Sequence, residues 1–454
     1  MTKTLTASIR DSKVARWGAL GIVSFTMMAA YFFTDVMSPL KTMLETQNGW
    51  NSSDYGFFTS AYGWLNVFLL MLFFGGLILD KMGIRFTGIG SALVMVIGAG
   101  IKYYAISTPA LGQVLLFGIN SQVMIASIGF AIFGVGCEVS GITVSKVIVK
   151  WFKGHELATA MGIQVALARV GTAFALFFTV PIAEAFHSIS APIAMGGVAL
   201  CAGLIAFFIY NSMDRKLEKH DSQIVNDSPE ESFKLSDIKM ILTNKGFWLI
   251  ALLCVMFYSC VFPFLKYATD LMVNKFHVAY SLAGIIPGIL PFGTILLTPL
   301  FGGIYDKKGK GATIMIIGAC ILLFVHLLFT VPFLNNWILA VALMVLLGVG
   351  FSLVPSAMWP SVAKIIPEKQ LGTAYSLIFL IQNIGLMGVP FLIGKVLENY
   401  CKSSVDGKPV YDYTLVMAIF SSFALISIFV AIALKREDKK KGYGLEQKNA
   451  VEDE

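Results

Sequence analysis

Twelve apolar runs of about 20 residues, separated by short polar segments, constrain the fold of this chain more than any other feature. A run of that length and composition can cross the hydrocarbon core of a bilayer as one helix. Of the 454 residues, 57% are hydrophobic and 13% are charged, whereas about a quarter of the residues of a typical soluble protein carry charge. The spans and their connectors occupy nearly the whole length. This excludes an ordinary soluble enzyme and leaves no segment for a folded soluble domain.

The runs fall into two groups of six. The first group lies at about 17–39, 55–79, 86–106, 122–147, 156–182 and 190–211, and the second at about 245–268, 279–304, 312–332, 336–361, 370–397 and 411–434. We therefore predict an all-α membrane protein with two pseudo-symmetric six-helix halves. Its segments are a cytoplasmic N-terminal segment 1–16, a first half 17–211, a cytoplasmic linker 212–244, a second half 245–434 and a charged cytoplasmic tail 435–454.

Lysine and arginine predict the orientation of the spans. The loops on the side of the termini contain many of them, including Lys81, Arg85, Lys150, Lys307 and Lys364, whereas the opposite loops contain few, such as Lys41, Lys102 and Lys275. The positive-inside rule therefore places both termini in the cytoplasm. The same asymmetry accounts for the net charge of +7, so the charge does not indicate a nucleic-acid partner. The predicted partners are the lipid bilayer and a small-molecule substrate, and an accessory subunit is left open.

An internal repeat relates the two halves. Residues 133–171 align without a gap on residues 347–385, and several glycines of the first copy meet identical residues in the second. Repeated halves are expected of a transporter whose binding site lies between them.

Two charged residues occur in only one copy of the repeat. Glu138 falls opposite Ser352, and Arg169 falls opposite Asn383. At about 1.5 Å per residue, both charges lie roughly 18–20 Å from the cytoplasmic turn. A charged group at that depth costs a few kcal/mol and indicates a functional site when it faces a cavity. We predict that both bind substrate; the alternative is a structural ion pair that joins the fourth and fifth spans.

Other polar or aromatic side chains within the spans are candidate substrate contacts. They are Tyr62, Trp64, Asn66, Tyr258, Trp359, Gln382 and Asn383. The alternative for each aromatic is packing, and for each amide it is an interhelical hydrogen bond. Asp35, Lys146 and Lys266 lie near span ends, so we expect Asp35 to face water and the two lysines to extend to the interface.

A short motif recurs at the cytoplasmic end of the second span of each half. The pattern G-x-x-x-D-[RK]-x-G, with a basic residue two further on, comprises Gly76, Asp80, Lys81, Gly83 and Arg85; the second copy comprises Gly303, Asp306, Lys307 and a displaced Gly309. A carboxylate there can cap the N-terminus of a neighbouring helix. We predict that Asp80 and Asp306 stabilise the state closed on the cytoplasmic side, near Glu368 and Glu156 respectively. A turn flanked by positive charge is the alternative.

This motif resembles the loop signature of the major facilitator superfamily. The runs WFKGHELATAMGIQVALARVG and SAMWPSVAKIIPEKQLGTAYSLIFLIQNIG are similar, more narrowly, to the subfamily named major facilitator superfamily domain-containing protein one. The similarity extends over about residues 31–398. It implies a facilitator of dipeptides, known best from lysosomal members, in which Glu138 and Arg169 are the charged groups of the site. Because no lysosomal sorting signal is evident and the outer loops are brief, we predict a bacterial inner membrane, with a lysosomal membrane as the alternative.

Together these features predict a non-enzymatic transporter that moves a small zwitterionic solute, a dipeptide, by alternating access. Glu138 can accept hydrogen bonds from an ammonium, and Arg169 can bind a carboxylate bidentately. The alternatives are a proton-coupled organic-anion or amino-acid carrier and a non-transporting receptor. Because Glu138 is the one acid expected deep in the bundle, we favour facilitated diffusion over proton symport. We expect no cofactor and no metal, since the six cysteines are scattered without metal-ligand spacing.

Overall fold

The computed structural model describes residues 12–152, 156–221, 235–367, 370–405 and 408–448. The described chain is mostly helical and contains two short hairpins. The helices are α1 (Lys13–Asp35), α2 (Lys41–Asn48), α3 (Ser52–Ser60), α4 (Trp64–Phe68), α5 (Met71–Ser107), α6 (Ser121–Phe152), α7 (Leu157–Ala185), α8 (Ser190–Asp221), α9 (Leu235–Thr243), α10 (Lys245–Phe276), α11 (Tyr280–Ala283), α12 (Ile285–Lys308), α13 (Gly311–Thr330), α14 (Trp337–Ile365), α15 (Leu371–Val396) and α16 (Thr414–Lys441).

Both hairpins are antiparallel and lie between long helices. Strand β1 (Leu115–Leu116) pairs with β2 (Ile119–Asn120), with Leu116 opposite Ile119. Strand β3 (Lys402–Val405) pairs with β4 (Lys408–Tyr411), with Lys402 opposite Tyr411. The second hairpin contributes Tyr411 to the core, where its hydroxyl donates to Glu45 at 2.9 Å.

Eleven helical segments of the described chain are long and apolar enough to cross a membrane. The second predicted span is the exception, because it is divided among α3, α4 and the start of α5. Leu70, between α4 and α5, has a left-handed backbone with φ of 52°. Gly83 breaks the helical geometry inside α5 with φ of 78°, which favours glycine. The 37 residues of α5 therefore contain the cytoplasmic end of the second span and all of the third, which accounts for the twelfth span.

Helices extend beyond the predicted spans on the cytoplasmic side. Helix α8 continues to Asp221, and α9 lies within the predicted linker, of which residues 222–234 are outside the described residues. Helix α16 continues to Lys441, so the first residues of the predicted tail are helical. Side chains such as Asp214, 1% exposed, explain the difference, because packing can stabilise a polar helix end that hydropathy alone assigns to water.

Both described chain ends lie at one end of the bundle. Near the start of α1, Arg16 pairs with Glu156, just before α7, at 3.2 Å. The opposite end of α7 meets the start of α12, where a Cβ atom on Gly284 would lie 2.2 Å from the carbonyl oxygen of Leu176. The far end of α12 therefore lies at the same end of the bundle as Arg16, and there the amide of Lys310 donates to the tail carbonyl of Glu446 at 3.0 Å. We call this end cytoplasmic, as the sequence predicts, and the other end outer.

The two halves make close contact at the outer end. A Cβ atom on Gly56 of α3 would lie 2.8 Å from the Cα atom of Gly394 in α15, so the two helices touch through glycine backbone. The Tyr280 hydroxyl donates to the carbonyl oxygen of Pro39 across the same interface at 2.6 Å. These contacts close the outer end.

Two lysines assigned above to outer loops are instead buried. Lys41 is 1% exposed and lies 2.7 Å from Glu45 and 3.2 Å from Asp270 of the other half. Lys102 is fully buried and donates to the carbonyl oxygen of Phe33 at 3.1 Å. Both lysines lie in helices rather than in exposed loops: Lys41 is paired with two carboxylates, and Lys102 lies 3.9 Å from the ring centre of Phe33 as well as bonding its carbonyl oxygen.

Candidate functional site

A cavity of about 610 Å³ lies between the two halves. Six of the predicted substrate contacts border it: Tyr62, Glu138, Arg169, Tyr258, Trp359 and Gln382. At its outer limit are Asp35 and Lys266, and toward the cytoplasm its lining reaches Met161 and Gly302, within about two turns of the ends of α7 and α12. The volume is in the range of small-molecule sites.

Glu138 is oriented by a tyrosine from the broken second span. The Tyr62 hydroxyl donates to Glu138 Oε1 at 2.8 Å. One turn earlier on α6, a Cβ atom on Gly134 would lie 2.3 Å from the carbonyl oxygen of Tyr62, so glycine permits this close approach. The interrupted helix and the glycine together position the carboxylate beside the cavity.

Arg169 is surrounded by aromatic rings and has no carboxylate partner among the described residues. Its guanidinium carbon lies 5.7 Å from the ring centre of Tyr31, 5.2 Å from that of Phe262 and 5.3 Å from that of Phe351. Cation–π contacts stabilise the cation without neutralising it. The guanidinium therefore remains able to bind an anion from the cavity.

Glu138 and Arg169 do not form the structural ion pair that the sequence left open. The described salt bridges do not include this pair, although both side chains line the same cavity. The site thus offers one carboxylate and one guanidinium as separate binding groups.

The second half supplies the aromatic wall. The Trp359 indole donates to the Tyr258 hydroxyl at 3.1 Å, and the Tyr375 hydroxyl donates to the Trp359 carbonyl oxygen at 3.1 Å. The first bond orients the indole, and the second joins α15 to the backbone of α14. Gln382 also borders the cavity and accepts from the Cys254 thiol at 3.6 Å.

Three predicted contacts do not line the cavity. Trp64 donates to Ser60 Oγ at 3.0 Å within its own span. Asn66 is fully buried, and neither atom of its amide has a hydrogen-bond partner among the described residues. Asn383 is 1% exposed and donates to the Phe379 carbonyl oxygen at 3.0 Å. All three side chains are on helix faces turned away from the cavity, which residue type does not reveal.

The sequence interpretation missed an ion pair at the outer limit of the cavity. Lys266 Nζ lies 2.6 Å from Asp35 Oδ1, and Thr172 donates to the same carboxylate at 2.7 Å. The expectations that Asp35 faces water and that Lys266 extends to the interface were wrong. Glu138 is consequently not the only acid beside the cavity. The sequence does contain a signal for this pair, because the first span of one half carries the acid Asp35 and the first span of the other half carries the base Lys266.

The first loop motif forms contacts within its own half. Asp80 lies 2.5 Å from Lys146, which therefore does not extend freely to the interface. Lys150 lies 2.8 Å and Arg85 lies 3.7 Å from the buried Asp214 carboxylate. Asp214 was not among the predicted contacts, because it falls in the segment predicted to be a linker. The described structure is open on the cytoplasmic side, so the predicted closing role of Asp80 stays a prediction.

The other residues named for gating lie at the same end. Asp306 is exposed at the end of α12, and Glu368 lies outside the described residues. A backbone hydrogen bond at the start of α7 lowers the pKa of the Glu156 carboxyl, and the nearby Arg16 guanidinium lowers it further. The charged form of Glu156 is thus favoured at neutral pH, as expected of a carboxylate at a helix N-terminus.

Comparisons with known proteins agree with this architecture. The sequence model described as Major Facilitator Superfamily matches residues 20–390. The lysosomal dipeptide transporter MFSD1 of Mus musculus is 28% identical over 459 residues, covering 98% of this chain and 91% of the relative. Two solved structures share the fold: the nucleoside transporter NupG, with TM-score 0.66, 17% identity and coverage of 93% and 99%, and a D-xylose-proton symporter, with TM-score 0.67, 15% identity and coverage of 92% and 97%.

Proposed function

Because this chain belongs to the Major Facilitator Superfamily and is a membrane transporter, we propose that it moves a small zwitterionic solute, a dipeptide, by alternating access and facilitated diffusion. The observation that carries this proposal is that Glu138 and Arg169 border one cavity without pairing with each other. A substrate with an ammonium and a carboxylate would satisfy both. The name of the mouse relative, a dipeptide transporter, supports the same substrate class.

The charge balance of the cavity favours a zwitterion over an organic anion. Two carboxylates, Asp35 and Glu138, and two cations, Arg169 and Lys266, border the cavity, and their formal charges cancel. A dipeptide with one ammonium and one carboxylate is also neutral overall. An organic anion would instead be favoured by an excess of positive charge.

The same balance supports facilitated diffusion. Asp35 is paired with Lys266 at 2.6 Å, and Glu138 accepts from Tyr62 at 2.8 Å. Since a neutral zwitterion adds no net charge to a neutral cavity, no proton is required to balance its binding. A bacterial inner membrane remains our prediction for the location of this multi-pass protein, and a lysosomal membrane remains its alternative.

Uptake into proteoliposomes tests this function. We expect unlabelled dipeptide inside the vesicles to accelerate entry of labelled dipeptide, because a carrier exchanges solute whereas a receptor only binds it. Mono- and dicarboxylates should not exchange. An imposed pH gradient should not produce accumulation above the external concentration; accumulation that a protonophore abolishes would replace facilitated diffusion with proton symport.

A further inference from the structure

Lys266 is the one cation that the described second half contributes to the cavity. Its ammonium donates to the Thr34 carbonyl oxygen at 2.8 Å and to Asp35 Oδ1 at 2.6 Å. An ammonium has three N–H donors, so one remains for another acceptor. That donor belongs to a side chain that borders the cavity.

Two routes through the structure place Lys266 near Arg169. On α10, Phe262 precedes Lys266 by one turn, and its ring centre lies 5.2 Å from the Arg169 guanidinium carbon. On α7, Thr172 follows Arg169 by about one turn and donates to Asp35 at 2.7 Å. One turn of helix rises about 5.4 Å. A carboxylate bound by Arg169 is therefore within reach of the flexible lysine side chain from the outer side.

We propose that Lys266 is a third charged residue that recognises the substrate. Its remaining N–H binds the substrate carboxylate together with Arg169, so that the carboxylate joins the two halves. This inference rests on the dipeptide function proposed above. Asp35 is a positioning residue: together with the Thr34 carbonyl, it orients the ammonium and balances its charge.

The arrangement links substrate recognition to conformation. Glu138 and Arg169 both belong to the first half, so on their own they provide no charged contact between the substrate and the second half. Lys266 provides that contact while the outer end is closed. When the halves separate at the outer end, α10 moves away from α1 and α7, and the contact weakens. A ligand shifts a conformational equilibrium only through such a difference in affinity.

Binding of alanylalanine and its C-terminal amide to the purified full-length protein tests the proposal. Lys266→Met keeps an apolar side chain of similar length and removes the ammonium. We expect its affinity for alanylalanine to fall about tenfold or more, the effect of losing a charged hydrogen bond, and its affinity for the amide to stay unchanged. Lys275→Met is the matched control, because Lys275 lies on the same helix, donates to the carbonyl oxygens of Phe329 and Val331, and does not line the cavity. It should change neither affinity.

Lys266→Met leaves Asp35 buried without its cation, which can destabilise the fold. The double variant Asp35→Asn/Lys266→Met removes both charges and should show the same selective loss. Asp35→Asn alone should raise the ratio of the affinity for alanylalanine to the affinity for its amide, because the Lys266 ammonium is then no longer shared between Asp35 and the substrate carboxylate. A merely structural Asp35 would leave that ratio unchanged.

The outcomes separate this proposal from the function on which it rests. Equal loss for the peptide and the amide would show that Lys266 acts only by closing the outer end, and would overturn the proposal. Unchanged binding of both would overturn it too and leave dipeptide transport standing. Failure of the parental protein to bind alanylalanine would refute the dipeptide function and this inference with it.

Discussion

The two halves of the cavity are built on one repeated pattern and differ in chemistry. The first half presents Glu138 and Arg169 to the cavity. At the equivalent positions of the second half, Ser352 donates to the Gly348 carbonyl oxygen at 2.8 Å and Asn383 donates to a carbonyl of its own helix, and neither lines the cavity. The second half instead presents aromatic rings, and its charged lining residue, Lys266, lies outside the repeated segment. The repeat therefore supplies a common frame, and divergence within it places Glu138 and Arg169 in the first half alone.

We expect the largest difference in uptake between variants at equivalent positions of the two halves. Arg169→Lys retains the charge but loses the planar fork, and Glu138→Gln removes the carboxylate, so each should reduce dipeptide uptake about tenfold or more. The matched variants Asn383→Ser and Ser352→Ala should transport within about twofold of the parental rate, as expected where a change affects only a modest intrahelical hydrogen bond. Uptake assays at equal protein density compare the four. Comparable losses at both pairs of positions would contradict the division between the halves.

The contact that joins the halves at the outer end should be the next most sensitive. A Cβ atom on Gly394 would lie 2.5 Å from the Ser52 carbonyl oxygen, so Gly394→Ala must move backbone of one half away from the other. We expect a severalfold slower exchange and a population shifted toward outer opening, since overpacking costs about 1–3 kcal/mol. Gly293→Ala is the control, because a Cβ atom there would meet nothing within 4 Å.

Labelling from outside measures this shift. A cysteine introduced by Thr59→Cys, in the cavity lining, should react faster in the Gly394→Ala background than in the Gly293→Ala background. The exposed thiols Cys201 and Cys320 are first replaced by serine. Equal reaction rates would mean that the glycine contact does not close the outer end.

A smaller effect is expected from the motif of the first half. Asp80 and Lys146 are 55% and 35% exposed, so their ion pair contributes about 0–1 kcal/mol to the open state described here. If Asp80 caps a helix of the other half on closure, Asp80→Asn removes about 1 kcal/mol from the closed state and only the weaker exposed ion pair from the open state. The variant should then increase cytoplasmic labelling of a cysteine introduced by Gly302→Cys and slow the cycle. Labelling at the same rate with and without Asp80→Asn would remove this role.

The smallest effect concerns a contact of the second half. Glu446 of the tail accepts from the Thr313 backbone amide at 2.9 Å and from its hydroxyl at 2.8 Å, at the start of α13. Glu446→Ala should lower the free energy of unfolding by about 1 kcal/mol, as expected for a lost helix cap, and leave uptake unchanged. Thermal unfolding in detergent measures the first and proteoliposome uptake the second. A clear loss of uptake by a Glu446→Ala variant that unfolds at nearly the parental temperature would instead indicate that the tail takes part in the transport cycle.

Much of the architecture follows from the sequence, because hydropathy reports directly which segments can lie in lipid. The two groups of six spans and the repeat require no knowledge of packing. The repeat also singles out Glu138 and Arg169, since a mid-span charge present in one copy and absent from the other cannot serve the shared frame. Both side chains border the cavity in the structure.

Only the tertiary structure decided which polar residues face the cavity and which are satisfied elsewhere. Asn66 and Gln382 look alike in sequence, yet one is enclosed between helices and the other borders the cavity. Asp35 and Lys266 are 231 positions apart and pair at 2.6 Å. Hydropathy gives the depth of a residue in the membrane, but the direction of its side chain and its partner depend on which helices pack against it. Those contacts form between distant segments, so no local pattern contains them.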